Sequence, residues 1–350
     1  MGVIKMWRKF LARLKRTPEI KRHIEQARKG SVTAMFAVGK AYLHGKEDVA
    51  PHAGHAVWWM ERAARGGHQE ACVQAARLAW DGFLPDERAL GPAARTAPRK
   101  DDALMFARLG HQRGDPEASL FLVWLLDAVK MKAEAERHEA LQAAAEKGLP
   151  LALVGLADIE ARSGASAEHV MDLLSIPLEA NLGIAHHMVS TWYGQGTLLA
   201  QNEQKARHHL EIAAGAGYVP AMGLLGECLM VENHRQIEGE ERDENRERLR
   251  RLTRGESLLR KAAISNGRAA CVLGDYWSRI AETSDMQQSI QWYEKSVSLG
   301  FVGALFMSAR LVLEGRSDHM TQQEAWSRLE RAAVAGHAGA KEILSKRSLC

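Results

Sequence analysis

Histidine is the residue in this 350-residue sequence that most invites a chemical role. Two adjacent pairs, His186-His187 and His208-His209, are close enough in the chain to suggest a metal site. Neighbours on a helix point about 100° apart, so at most one histidine of each pair can converge on an ion. The pairs are therefore read as surface residues, and so are His44, His52 and His55, which flank a loop. His68, His111 and His337 sit near turns, where Gly-His recurs. Four cysteines, Cys72, Cys228, Cys271 and Cys350, are widely spaced with no CxxC pair. Neither a disulfide framework nor a structural zinc is expected, and a reducing compartment suits the chain better. Cys72 and Cys271 read as small core residues. The sequence has no SxxK, GxSxG or HExxH. Gly39 to Gly45-Lys46 looks like a phosphate-binding loop, but it is one residue too long and Glu47 stands where Ser or Thr is needed. No catalytic residue, cofactor or metal is assigned, and the chain is read as non-enzymatic, with a hydrolase as the least supported alternative.

The elements that would position any site come from internal repetition. Ala34, Gly39, Tyr42 and Gly45 set a pattern of small, small, aromatic and closing glycine. Ala185, Ser190, Tyr193 and Gly196 repeat it, and further copies start at Ala71, Ala118, Ala152, Ala221, Ala269 and Ala304. A second segment follows each, as in Ala56, Trp59, Ala63-Ala64, Gly67 and in Ala206, Ala213-Ala214, Gly217. These offsets fall on one face of a helix. Small residues let a neighbouring helix approach, the aromatic fills the gap between repeats, and the glycines close each helix. The spacing predicts eight helix pairs over 34–336, with a period of about 35 residues and a terminal piece from Ala340. Capping boxes are expected at Thr321 to Glu324 and at Ser284 to Gln287. Asp115-Pro116 and Val219-Pro220 place proline in a first turn. Pro177 falls inside the second helix of pair four and should bend or shorten it.

The two segments together resemble the Sel-1-like repeat family, a relative of the tetratricopeptide repeat. The likeness is strongest in pairs one, five, seven and eight. It implies an all-α, right-handed superhelical solenoid of about eight helix-turn-helix repeats. It also implies a non-enzymatic scaffold or adaptor, with roles such as assembly of bacterial signalling, envelope or secretion complexes. An adaptor or immunity protein for a secreted effector is a narrower alternative.

Composition agrees with a globular chain: 46% of residues are hydrophobic and 26% charged, mean hydropathy is −0.28, and no apolar run is long enough to cross a membrane. The net charge of +4 is unevenly placed. Residues 1–30 hold ten Lys/Arg against two Asp/Glu, a net of +8, whereas the other 320 hold 37 against 41, a net of −4. A nucleic-acid-binding body is therefore not expected. Residues 1–16 have six basic and no acidic side chains. As a helix they would place Val3, Ile4, Met6, Trp7, Phe10, Leu11 and Leu14 on one arc, with Lys5, Arg8, Lys9, Arg13, Lys15 and Arg16 around the rest. This segment can cap the array, dock on an anionic membrane or a partner, or act as a targeting sequence. The docking residues would be Lys5, Trp7, Arg8, Lys9, Phe10, Arg13 and Leu14. Residues 1–30 are thus a basic arm with a capping helix, and 31–350 the repeat array, with insertions near 83–100 and 232–256. The first insertion reads as a loop, and the second as a solvated helical arm with acid–base pairs four apart, such as Glu247/Arg251.

First helices of such an array line its concave side. The row facing away from the buried offsets reads Lys40, Arg77, Trp124, Asp158, Thr191, Glu227, Asp275 and Arg310, flanked by Trp80, Phe121, Met188 and Met307. It is basic at its start, aromatic near pairs two and three, and acidic from pair four to pair seven. Ten of these residues, Lys40, Arg77, Trp80, Phe121, Trp124, Asp158, Glu227, Asp275, Met307 and Arg310, are the candidates for holding a protein or peptide. The alternative for Trp80 and Trp124 is packing between repeats. The expected location is the cytoplasm, with peripheral attachment to the inner membrane as the alternative. Oligomeric state is not legible.

Overall fold

The computed structural model describes residues 18–45, 49–87, 92–233, 242–280 and 285–347. The arm at residues 1–16 and Cys350 lie outside them. The described residues form eighteen α-helices and no strand, with a single β-bridge between Phe83 and Arg95. A helix α1 (Pro18–Arg28) precedes the repeats, as Thr17-Pro18-Glu19 suggests. Eight pairs follow: α2 (Val32–His44) with α3 (Ala53–Arg65), α4 (Gln69–Trp80) with α5 (Lys100–Gln112), α6 (Pro116–Ala128) with α7 (Glu134–Ala145), and α8 (Pro150–Arg162) with α9 (Ala167–Glu179). Next are α10 (Gly183–Gln195) with α11 (Glu203–Gly215), α12 (Val219–Asn233) with α13 (Arg242–Ala262), α14 (Gly267–Asp275) with α15 (Met286–Ser298), and α16 (Val302–Leu313) with α17 (Gln322–Val334). A terminal α18 (Ala338–Arg347) closes the chain. In pair seven the first helix continues into a π-helical turn over Tyr276–Ile280.

The molecule divides into two compact units, one ending at Pro177 and one starting at Leu178. The core of the first includes Val38, Met60, Ala76, Phe106, Leu122 and Leu126, all fully or almost fully buried. That of the second includes Leu225, Leu259, Leu273, Tyr293 and Leu329. Position five is small in most first helices, α6 with Val123 being an exception, and in pairs one, six and seven the paired helix presses there. A Cβ on Gly39 would stand 3.0 Å from Met60 of α3, and one on Gly274 would stand 2.7 Å from the Tyr293 ring of α15. Ser190, in the same position, donates its hydroxyl to the Ala206 carbonyl at 2.8 Å.

A ring contact recurs between successive repeats, stacked in two cases and tilted in the third. The residue after a second-helix glycine lies on the residue two places into the preceding first helix. His68 stacks on Phe36 at 4.0 Å and His337 on Phe306 at 4.3 Å, while Tyr218 meets His187 at 5.3 Å. Arg–Glu pairs tie second helices to one another: Arg108 grips Glu136 at 2.6 and 3.0 Å, and Arg328 grips Glu294 at 2.6 and 2.9 Å. Arg108 holds the Glu136 carboxyl below its ordinary range.

Caps sit mostly where the residue types place them. The Thr321–Glu324 capping box is complete, and Asp115 accepts the Glu117 amide proton ahead of Pro116. The second box is displaced: Ser284 lies outside the described residues, and Asp285 caps α15 by accepting the Gln288 amide proton at 3.0 Å. Asp285 is equally competent as a cap, so the neighbouring Ser misdirects by one residue. Pro177 is buried in the last turn of α9, which runs two residues past it to Glu179. There the missing N–H costs one bond near a helix end rather than a break. In the second insertion the Glu247–Arg251 pair forms at 3.1 Å on α13.

Two surface assignments, those of His55 and His186, are corrected. His55 is buried, between the Asp86 carbonyl at 2.8 Å and the Trp59 indole at 3.0 Å. The indole can only donate, so His55 Nε2 accepts and its proton sits on Nδ1. The 83–100 loop thus folds back over α3, and the Asp86 amide donates to the Gly54 carbonyl. His186 is buried too, with its Nδ1 2.9 Å from His209 Nδ1. His111 is half-buried, its Nδ1 2.9 Å from the Ser119 hydroxyl. One histidine of each adjacent pair does converge, but on its counterpart. Cys72 and Cys271 are buried, as their positions suggest, and burial pushes the Cys72 thiol up.

A candidate partner-binding groove

Helix α6 has two apolar faces. Ala118, Leu122, Leu125 and Leu126 are buried in the core. Leu120, Phe121, Val123 and Trp124 face a groove of about 1050 Å³ with α4, α7 and α8 along its sides. Trp124 remains 47% exposed. Its ring meets Trp80 of α4 edge-on at 5.0 Å and stacks on Phe121 at 5.3 Å, 11° from parallel. Arg77 lies over Phe121 at 5.7 Å and reaches Glu117 at 3.4 Å. Leu141 from α7 and Leu149, Pro150, Leu151 and Ile159 at α8 complete the apolar lining. Leu151 is 50% exposed.

Charged side chains rim this floor. Arg137 is shared by Asp127 at 2.6 Å and Glu134 at 2.5 Å, and Asp158 pairs with Arg162 at 2.8 Å. Four carboxylates, Glu117, Asp127, Glu134 and Asp158, therefore face three guanidinium groups in the lining. Arg137 is mostly covered, whereas Glu117, Asp127 and Glu134 are largely exposed. The rim presents a carboxylate surplus to solvent.

Of the sequence-derived row, the structure brings Arg77, Phe121, Trp124 and Asp158 into this groove, with Trp80 against Trp124. Trp80 and Trp124 do pack between adjacent repeats, and Trp124 is exposed all the same. The other five are elsewhere. Lys40 is exposed on α2, its ammonium 5.3 Å from the Phe36 ring. In the second unit Glu227 pairs with Arg268 at 3.1 Å, and Arg310 pairs with Glu314 at 3.0 Å. Asp275 accepts the Tyr293 hydroxyl proton at 2.7 Å, and Met307 packs on the buried cluster around Tyr293. Burial, and then the Asp275 carboxylate, hold the Tyr293 phenol well above its ordinary pKa. The acidic stretch of the row is thus largely taken up by internal partners. The row also omits Leu141, Arg137 and Leu151. The first two come from a second helix, and Leu151 lies just before the repeat's first alanine. A search for unburied apolar residues would have found Leu151 alone, since Leu141 is buried and Arg137 is charged.

No group of three or more His, Cys, Asp or Glu side chains is placed to hold a metal ion among the described residues. No described helix is long and apolar enough to cross a membrane.

Stacked helix pairs with small residues at the pair contact define a helical-repeat protein. Residues 32–68, 182–218 and 268–301 each match the Sel1 repeat, so the chain carries Sel1 repeats in those three segments. The matches cover pairs one, five and seven; pair eight is not among them. Two solved structures share the fold. One is c5321, a protective antigen of uropathogenic Escherichia coli with an SLR fold, at 18% identity and a TM-score of 0.58 over 94% of this chain and 67% of that one. The other is a Sel1 repeat protein from Oxalobacter formigenes, at 18% identity and a TM-score of 0.56 over 96% of this chain and 92% of that one. No curated protein matches the chain by sequence. Sel1-repeat proteins generally mediate protein–protein interaction and are typically non-catalytic.

Proposed function

We propose that this protein is a non-enzymatic scaffold or adaptor that holds a protein partner in the groove between α4, α6, α7 and α8. The carrying observation is Trp124. It is an aromatic side chain braced by Trp80 and Phe121, left half exposed, and surrounded by apolar floor and charged rim. Braced aromatics in such settings supply a large share of interface energy, because little side-chain entropy remains to be lost on binding. In this reading residues 31–350 are the holding array, residues 1–30 are an appended arm, and the protein works in the cytoplasm. Affinity capture with crosslinking would identify the partner. Trp124→Ala should lower capture at least tenfold while far-UV circular dichroism and melting stay near wild type. Unchanged capture by a well-folded Trp124→Ala protein would end this assignment.

A further inference from the structure

The groove's chemistry specifies its occupant more narrowly than "a protein". Its floor wants an apolar face, and its rim, with four carboxylates against three arginines, wants positive charge. Two other cavities have the opposite bias. That between Ile24 and Trp59 is edged by Arg28 and Arg62 against Glu87, and that on α13 by Arg207, Arg250, Arg251 and Arg254 against Glu211 and Glu247. A basic amphipathic helix would be repelled from both and attracted to the groove. A further cavity, with Glu203, Glu211 and Glu232 against Arg207, shares the acidic bias but belongs to the second unit, whereas residues 1–16 lead into α1 of the first.

The chain itself carries such a segment. Residues 1–16 hold six Lys/Arg and no Asp/Glu, and their apolar residues include Trp7, Phe10 and Leu14. We propose that residues 1–16 of this chain are a ligand of the Trp124 groove, docking as a basic amphipathic helix. Trp7, Phe10 and Leu14 lie at i, i+3 and i+7, the spacing of anchors on one helical face. They would enter between Trp124 and Leu151, with Lys5, Lys9 and Arg13 toward Glu117, Asp127 and Glu134. A helix of sixteen residues is about 24 Å long. They join α1 at Pro18, in the same compact unit as the groove. The inference rests on the groove being a binding site, and adds that the chain's own arm competes with the partner for it. Partner capture is then limited by arm release.

A zero-length carbodiimide crosslinker on the full chain tests this directly, because it joins an amine to a carboxylate only when the two touch. Mass spectrometry should find Lys5, Lys9 or Lys15 joined to Glu117, Asp127 or Glu134. Trp124→Ala or the pair Asp127→Lys/Glu134→Lys should cut those links at least fivefold, and 0.5 M salt should weaken them. Lys5→Glu/Lys9→Glu/Arg13→Glu should raise partner capture severalfold. Links to Glu19 or Glu25 instead would mean that the arm caps α1, and would overturn the proposal. So would groove links that survive Trp124→Ala. Absence of links, together with flotation on phosphatidylserine-containing vesicles, would assign the arm to a membrane and equally overturn it. The two readings fail separately. Trp124-dependent capture without arm crosslinks leaves the scaffold standing, and arm crosslinks with Trp124-independent capture remove it.

Discussion

His186 and His209 show how a polar pair is kept inside a helical repeat. The Leu178 carbonyl, 3.3 Å from His186 Nε2, can only accept, so that nitrogen carries the proton. His186 Nδ1 is then the acceptor, and His209 donates Nδ1–H to it. His208 and the Tyr193 ring flank His209, with Lys205 in the same helix. Burial first, then His186, His208 and Lys205, pull the His209 pKa down to about 4 from an ordinary 6.5. The unfolded chain therefore takes up a proton between pH 6.5 and 4 that the folded chain refuses, and stability falls as pH drops through that window. Melting temperature should decrease from pH 7 to pH 5, and His209→Gln should flatten the decrease. An unaltered slope in that variant would show that other groups set the acid limit. His55 is a second case. Its two nitrogens join the loop at Asp86 to Trp59, so His55→Ala should cost about 1–3 kcal/mol in urea unfolding. Neither burial was legible in the sequence. Each depends on a partner 23 to 31 positions away, which a helical wheel does not contain.

The helices themselves were far more legible, because their boundaries are set by local chemistry. Serine at 31, aspartate at 115, asparagine at 202 and 266, and threonine at 321 each cap the helix that follows. Asn202→Ala, which removes an acceptor for the Lys205 amide at 2.9 Å, should cost about 1 kcal/mol by thermal or urea denaturation. Close contacts between pairs are equally specific. Gly110 on α5 faces Ala118 of α6 and Cys72 of α4, and an added Cβ would stand 2.4 Å from the Ala118 Cβ and 2.9 Å from that of Cys72. Gly110→Val should destabilise by about 1–3 kcal/mol, since a Cβ is fixed to its own backbone and cannot swing aside. The groove was half legible. Its aromatic wall follows from one row of first-helix offsets, but its other wall is built by α7 and the start of α8. How a second helix is turned against the following repeat is tertiary information, absent from repeat spacing.

Packing in chain order makes stability a local quantity across the molecule. From α1 to α8, and again from α10 to α18, each helix touches the next in sequence, and the contacts cluster into two units divided after Pro177. In arrays of this kind, a defect weakens the repeats next to it more than distant ones. Leu259→Ala, at a fully buried position of α13, should cost about 2–5 kcal/mol. By hydrogen exchange it should speed α12 through α14 while leaving α3, with buried Met60, at its wild-type rate. Acceleration of α3 equal to that of α12 through α14 would instead reveal a single cooperative unit. The ring contacts at the repeat junctions carry a consequence for how such a chain changes length over generations. His68 and Phe36, Tyr218 and His187, and His337 and Phe306 are 32, 31 and 31 positions apart. A duplication or deletion of one full repeat hands each ring an equivalent mate. A slip of half a repeat strands them all, so growth and shrinkage should proceed in whole-repeat steps.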